Sequence, residues 1–412
     1  MISKEKNNFA IFTVCNIAYL PKALVLAESV FKYNKKKLKI YLFDRKKDID
    51  FSNIEAELYW IEDLNIPNFE QLAFKYDIVE FSTCLKPYLT LELMKNYQKV
   101  IFFDPDICTY DSVNSILNDL EHNPILLTPH YTTPISNHQK TGWNNDLGMM
   151  RFGSFNLGFY GVKDSQQGID FLKWWSDRCL DLCFMESQFG LSTDQKWVSI
   201  APCFFPDLGV SFNLGYNAAP WNIFERNIKK NKQGIYMVNE TDPLVFFHFS
   251  NFDKTDIGYI NELANYGGNL KSPSLLELGE DYLKSQTQKE NEVIKTEYTF
   301  DYMSGGEYIS PTLRRAYASV LSELPKNHYP FDSNGIVGKF AKKNRLFERK
   351  TKVESKKSIG FKNLKSNKNK IKFIYSIMKI ILRIFGPNKF NDLSRLMVYL
   401  SSYRQNRGMW KI

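Results

Sequence analysis

"KVIFFDPDICTYDS", residues 99–112, drives an apolar run, Val100-Ile101-Phe102-Phe103, straight into two carboxylates with a proline between them. Four consecutive apolar, β-prone residues read as a strand buried on both faces, the kind found in parallel sheets. A helical pattern, KPYLTLELMKNY (residues 86–97), leads into it. On an extended segment Asp104 and Asp106 point to the same side, while Pro105 stiffens the backbone between them. Two hard oxygen donors so placed either hold a divalent cation such as Mg²⁺ or Mn²⁺, or merely cap the following turn.

Toward the N-terminus, FAIFTVCN (residues 9–16) reads as a short buried strand. KALVLAESVFKYN (residues 22–34) has apolar residues at helical spacing, with Pro21 suited to the first turn. KKLKIYLFD (residues 36–44) is a second strand. Strand, helix, strand is the βαβ unit of a parallel sheet, whose ligands lie at the carboxyl ends of the strands. The two carboxylates therefore stand where a crevice is expected. Further on, FNLGFYGVK (residues 155–163) reads as a strand with two glycines, and residues 168–184 as an amphipathic helix. STDQKWVSIAPCFFP (residues 192–206) reads as a short helix and a turn. PLVFFHFSNFD (residues 243–253) is one more apolar strand, interrupted by His248, which on its own is as well read as a core histidine. Residues 286–306 are polar, a linker or flap, and residues 311–324 a helix.

With 412 residues, 43% of them hydrophobic and 15% aromatic, the chain can bury one large core or two ordinary ones, which excludes wholesale disorder. No run reaches the roughly 18 to 20 apolar residues a membrane span requires. MISKEKNNFAIFTVCN shows no secretory signal. Six cysteines without C-x-x-C spacing read as free thiols, so the expected location is the cytoplasm. Charge is unevenly spread. Residues 339–412 carry 21 Lys and Arg against Glu348, Glu354 and Asp392, a net of +18, which leaves −9 for the rest of a chain whose total is +9. In IKFIYSIMKIILRIF (residues 371–385) the polar positions Lys372, Ser376, Lys379 and Arg383 form one narrow stripe opposite a wide apolar face. Gly386-Pro387-Asn388 breaks the helix, and Leu393, Leu396, Met397 and Leu400 make a second amphipathic stretch. This tail reads as attachment to an anionic membrane surface, peripheral on the inner face, with a subunit interface or packing on the body as alternatives. No nucleic-acid motif is present, so no nucleic-acid partner is expected.

The ordered set Thr13-Val14-Cys15-Asn16, Tyr19-Leu20-Pro21 with ALVLAESV, KVIFFDPDI, FNLGFYGV, TDQKWVS and FFHFS resembles a GT-A nucleotide-sugar glycosyltransferase. It is most similar to the retaining branch with glycogenin-like and lipopolysaccharide galactosyltransferase-like enzymes, over residues 9–253. The resemblance implies a GT-A, Rossmann-like α/β fold, a mixed, mostly parallel sheet flanked by helices, to which the charge and spacing of the tail add a helical basic C-terminal extension. The expected divisions are a catalytic domain at 1–285, a linker or flap and helix completing the acceptor side at 286–338, and a basic, partly flexible tail at 339–412.

By the same resemblance, Asp104, Asp106 and His248 hold Mn²⁺ (or Mg²⁺) against the donor diphosphate. Asn251 stands where the family often has glycine and would meet the phosphates through its amide. Thr13, Asn16 and Tyr19 face the nucleoside, and Lys86 lies near the donor phosphates. Asn156 and Gly158 approach the donor sugar, with Leu157 replacing the family's small hydroxyl residue. Asp194 and Gln195 lie beside the anomeric carbon, where an oxygen offsets the positive charge that builds as the diphosphate leaves; alternatively Asp194 caps the next helix. GYNAAPWNIFER (residues 215–226) has the aromatic and amide composition of a sugar site, so Trp221, Asn222 and Arg226 line a donor-sugar or acceptor pocket, or simply pack. The expected function is hexosyl transfer from a nucleotide diphosphate sugar to a polysaccharide, glycolipid or glycoprotein hydroxyl. The alternatives are a sugar-phosphate nucleotidyltransferase, for which no Gly-rich N-terminal loop is found, and a non-catalytic glycan-binding scaffold.

Overall fold

A computed structural model of the chain describes residues 6–49, 54–134, 146–252, 256–265, 267–293, 296–348, 368–401 and 409–410. The apolar run at 100–103 is the end of the central strand of a seven-stranded sheet. In chain order the strands that matter here are β1 (Asn7–Cys15), β2 (Leu38–Leu42), β3 (Ala56–Trp60), β4 (Tyr97–Phe103), β5 (Ile107–Thr109), β6 (Ile125–Pro129), β7 (Phe155–Lys163), β8 (Leu208–Val210) and β9 (Phe246–His248). The sheet order is β8-β6-β7-β4-β1-β2-β3. Neighbours pair in parallel except β7, which runs antiparallel to both β4 and β6. This is the mixed, mostly parallel α/β sheet expected from the sequence. Helix α1 (Leu20–Asn34) forms the first crossover, with Pro21 in its first turn, and ends at Lys35 in the left-handed region (φ 51°).

The reversal of β7 positions the site. Parallel strands β1 and β4 end at the crevice, and an antiparallel β7 begins there, so Phe155 to Gly158 stand beside the end of β4. Phe103 pairs with Phe159, and the Asp104 amide donates to the Gly158 carbonyl at 2.7 Å. Both faces of the sheet are apolar; Phe12, Ile101, Phe102, Phe103, Phe159 and Tyr160 are all essentially inaccessible. β9 is much shorter than the strand expected over 243–253. It pairs antiparallel with β5, His248 opposite Ile107, and stays outside the seven-stranded sheet. A strand lasts only as long as its partner: beyond His248 the chain turns so that Phe249 stacks on Tyr282 (3.8 Å, 8°).

The chain divides into two compact units, one of Met1–Pro67 with Ile78–Thr299, the other of Asn68–Asp77 with Phe300–Ile412. These divisions differ from those read at 285 and 338. Residues 286–292 are the last turns of helix α3 (Pro273–Glu292), where Gln286 is buried, so they are not a linker. The second unit is built around Arg314, whose buried guanidinium donates to the carbonyls of Ala73, Phe74, Tyr76 and Phe300 and pairs with Asp301 at 2.8 Å. Ile336–Lys343, expected at the edge of the tail, is a helix with Val337, Phe340 and Ala341 buried in that unit. The basic segment 349–367 lies outside the described residues. Lys368–Ser401 is a pair of helices broken at Gly386 (φ 77°, ψ 168°), as expected from the Gly-Pro step. Among the described residues no helix is long and apolar enough to cross a membrane.

Candidate functional site

Where β4 ends, Asp104, Pro105 and Asp106 form a tight turn closed by the Ile107 amide donating to the Asp104 carbonyl (3.1 Å). The Asp106 carbonyl accepts from the Phe249 amide at 2.8 Å, which ties the turn to β9. His248 Nε2 then lies 3.0 Å from Asp106 Oδ1 and 3.9 Å from Asp104 Oδ2. One ligand atom from each of these three residues lies within 4.8 Å of the others, and among the described residues no other group of three acids, histidines or cysteines does so. Two carboxylates and an imidazole facing one point suit a borderline-hard divalent cation such as Mn²⁺. Burial pushes the Asp106 carboxyl up, but the His248 imidazole and the Lys22 ammonium outweigh that and hold it at about 2. The donor therefore stays ionised. Among the described residues, the buried His248 Nδ1 has no hydrogen-bond partner.

A second centre adjoins the first. Lys86, at the start of helix α2 (Lys86–Met94), is 3% exposed, and its Nζ lies 3.2 Å from Asp104 Oδ1 and 3.3 Å from Asp194 Oδ2. It also donates to the Leu157 carbonyl (3.1 Å) and sits 4.4 Å above the Phe102 ring. Burial acts to lower the Lys86 pKa; the two carboxylates outweigh it and leave the pKa above the ordinary lysine value. Burial raises Asp194, Lys86 opposes this, and repulsion by Asp104 adds to it, so Asp194 titrates above the usual carboxylate range. Asp194 makes no capping hydrogen bond to the helix that follows, so its alternative reading as a helix cap does not hold. Thr193, just before it, has φ 46°, an uncommon and strained conformation for a β-branched residue. Its hydroxyl donates to Asp194 Oδ1 (3.1 Å), which fixes the carboxylate's direction.

The remaining expected residues divide. Asn156 Oδ1 accepts from the Gly158 amide (3.1 Å) and from Asn217 Nδ2 (3.0 Å). Gly158 lies directly against the His248 ring. Gln195 bridges main-chain groups, its Nε2 donating to Phe152 and its Oε1 accepting from Leu157. Trp221 is half-buried, donates to the His130 carbonyl (3.0 Å) and meets the His248 ring edge-on at 5.1 Å. Asn222 needs correction: it is fully buried, and its amide is consumed by the Ala219 amide and the carbonyls of His130 and Asn217, leaving nothing to face a sugar. Arg226 is likewise buried, paired with Glu225 and donating to Leu214.

At the end of β1, the Thr13 hydroxyl is buried without a hydrogen-bond partner among the described residues. Asn16 Oδ1 caps the single turn Ile17–Tyr19 by accepting from the Tyr19 amide (3.1 Å), and the Tyr19 ring is 49% exposed. Asn251 is exposed and takes φ 56°, a region that Asn tolerates better than most residues. Sequence reasoning missed Asn217, which at φ 49° joins Asn156 to Thr128. It also missed His130, whose pKa burial depresses to about 4. The small residues after Asn217 were the available signal for a tight backbone.

No protein-family profile matches the chain. It is similar to two Bacillus subtilis (strain 168) proteins, YfnF and YfnD, both described as uncharacterized. The first is 26% identical over 190 residues, 45% of this chain and 61% of the relative; the second is 27% identical over 180 residues, 42% and 54%. The chain thus spans less than two thirds of these relatives' own length. Among solved structures, the galactosyltransferase LgtC in complex with donor and acceptor sugar analogs is 15% identical, covering 70% of this chain and 97% of that one, with a TM-score of 0.39. The glycosyltransferase GlyE of Streptococcus pneumoniae TIGR4 is 17% identical, covering 70% and 63%, also with a TM-score of 0.39. These structural neighbours are glycosyltransferases.

Proposed function

We propose that the chain is a metal-dependent hexosyltransferase that moves a hexose from a nucleotide diphosphate sugar, a UDP-sugar, onto a hydroxyl of a polysaccharide, glycolipid or glycoprotein, with retention. The observation that carries this reading is the junction at Lys86, one buried cation shared between the Asp104–Asp106–His248 cluster and Asp194. A Mn²⁺ or Mg²⁺ ion held by Asp104, Asp106 and His248 would neutralise a diphosphate leaving group.

The chain's own residues supply the rest. Thr13 and Asn16 hold the nucleoside, with Tyr19 stacked on the base, and the Asn251 amide meets the phosphates. Asn156 binds the donor sugar and Trp221 covers it. Asp194, set by Thr193 and Lys86, faces the anomeric carbon, where its oxygen offsets developing positive charge. Gln195 holds the start of β7 in place beside it. Six cysteines without paired C-x-x-C spacing fit a cytoplasmic setting.

UDP release from a panel of UDP-sugars, with and without Mn²⁺, tests the reading. One donor should be hydrolysed in a metal-dependent way, and Asp106→Ala should abolish it. If neither UDP nor any UDP-sugar binds with metal present, the reading fails.

A further inference from the structure

The helix pair Lys368–Ser401 leaves its apolar side chains in water. None of the side chains described from 372 to 398 is buried. Phe373, Ile374, Ile377, Ile380, Ile384 and Phe385 are between 41% and 69% exposed, a large apolar surface for one short element to present. Lys372, Ser376, Lys379 and Arg383 fall at spacings of four, three and four and so share a stripe of roughly 60°; every other position from 373 to 385 is apolar.

That distribution decides between partners. A protein groove covers one side of a helix, whereas an acyl layer surrounds a helix lying in it on all sides but the one facing water. Here all but a narrow stripe is apolar, and the stripe is cationic. The surrounding region adds to the charge, with residues 339–412 carrying a net +18. Gly386, at φ 77°, and Pro387 divide the pair, so the second segment, with Leu396 and Met397 also exposed, sets its own rotation about its axis. No described helix is apolar enough to cross the bilayer.

We propose that residues 368–401 lie in the interface of an anionic lipid bilayer, apolar arc in the acyl layer and basic stripe at the headgroups. This goes beyond the transferase reading and does not depend on it.

The test uses the full chain and sedimentation with vesicles of phosphatidylcholine alone or mixed with phosphatidylglycerol. Binding is expected to the mixed vesicles and to weaken with added salt. Ile377→Glu with Ile384→Glu should reduce it more than tenfold. Lys379→Ser with Arg383→Ser should reduce it roughly 25-fold, each basic side chain at an anionic surface being worth about a factor of five. All four positions are exposed, so the thermal melt of the variants should match wild type, separating lost docking from lost folding. Equal sedimentation with and without vesicles, or binding indifferent to the Glu pair, overturns the proposal. So does a self-associated species in lipid-free solution that the Glu pair dissociates, since a second copy would then cover the face. UDP-sugar hydrolysis is read separately in the same samples, so failure of one reading is not failure of the other.

Discussion

The imidazole of His248 occupies the space that a side chain on Gly158 would need: a β-carbon there would stand 2.3 Å from Cε1 and 2.6 Å from Nδ1. Glycine at this point of β7 is therefore a condition for the ring's position against the two carboxylates. Gly158→Ala should push the ring away, raising the Mn²⁺ dissociation constant at least tenfold by calorimetry. Overpacking should cost stability of about 1–3 kcal/mol, leaving the fold intact. Unchanged metal affinity would mean that the ring's position does not set binding.

Lys86 should behave as the balancing charge of the centre. Lys86→Met removes it from between two carboxylates, one of them buried, and leaving such charges uncompensated typically costs about 3–5 kcal/mol. The urea midpoint should fall accordingly. Adding Asp194→Asn should recover part of that loss, because the less accessible of the two charges is then gone. A double substitution as unstable as the sum of the two single ones would show that the pair is not coupled.

His130 sets an acid limit. Burial opposes its protonation more strongly than the Ser154 carbonyl favours it, and the folded-state pKa falls to about 4. A folded pKa below the unfolded one means that stability present above about pH 6.5 is lost as pH falls through 4, by about 3 kcal/mol. His130→Phe should flatten the stability profile between those limits, measured by urea unfolding at stepped pH. Superimposable profiles for the two proteins would exclude His130 as the source.

Asn251 separates a side-chain role from a backbone one. At φ 56° glycine is at ease, so Asn251→Gly should leave the melting temperature unchanged or slightly higher. If the amide meets the phosphates, affinity for UDP with Mn²⁺ drops several-fold in isothermal titration. Unaltered affinity would assign the contact to the main chain instead.

Much of the first unit was legible because its signals are local. The alternation of β1, α1 and β2 is written in apolar periodicity, and the end of β4 is marked by the sudden carboxylates. What escaped depends on contacts distant in sequence. Lys86 and Asp194 are paired across the end of β7, and nothing near either residue announces the other. Asn222 has the composition of a sugar ligand, an amide beside a tryptophan, but in the fold that amide is taken up by the Ala219 amide and the carbonyls of Asn217 and the distant His130. The length of β9 escaped for a related reason, since a strand's extent is set by its partner, here the three residues of β5. The helix over 286–292 was hidden by polar composition, since none of those seven residues is apolar.

The segment Asn68–Asp77 belongs with residues more than two hundred positions later. During synthesis it leaves the ribosome long before Arg314 exists to take up the carbonyls of Ala73, Phe74 and Tyr76, and Phe74 must wait for Tyr317 and Phe331 to surround it. The second unit therefore matures only after Arg314, Tyr317 and Phe331 have left the ribosome. A chain stopped before residue 300 would display an orphaned apolar helix, a ready mark for chaperones and proteases.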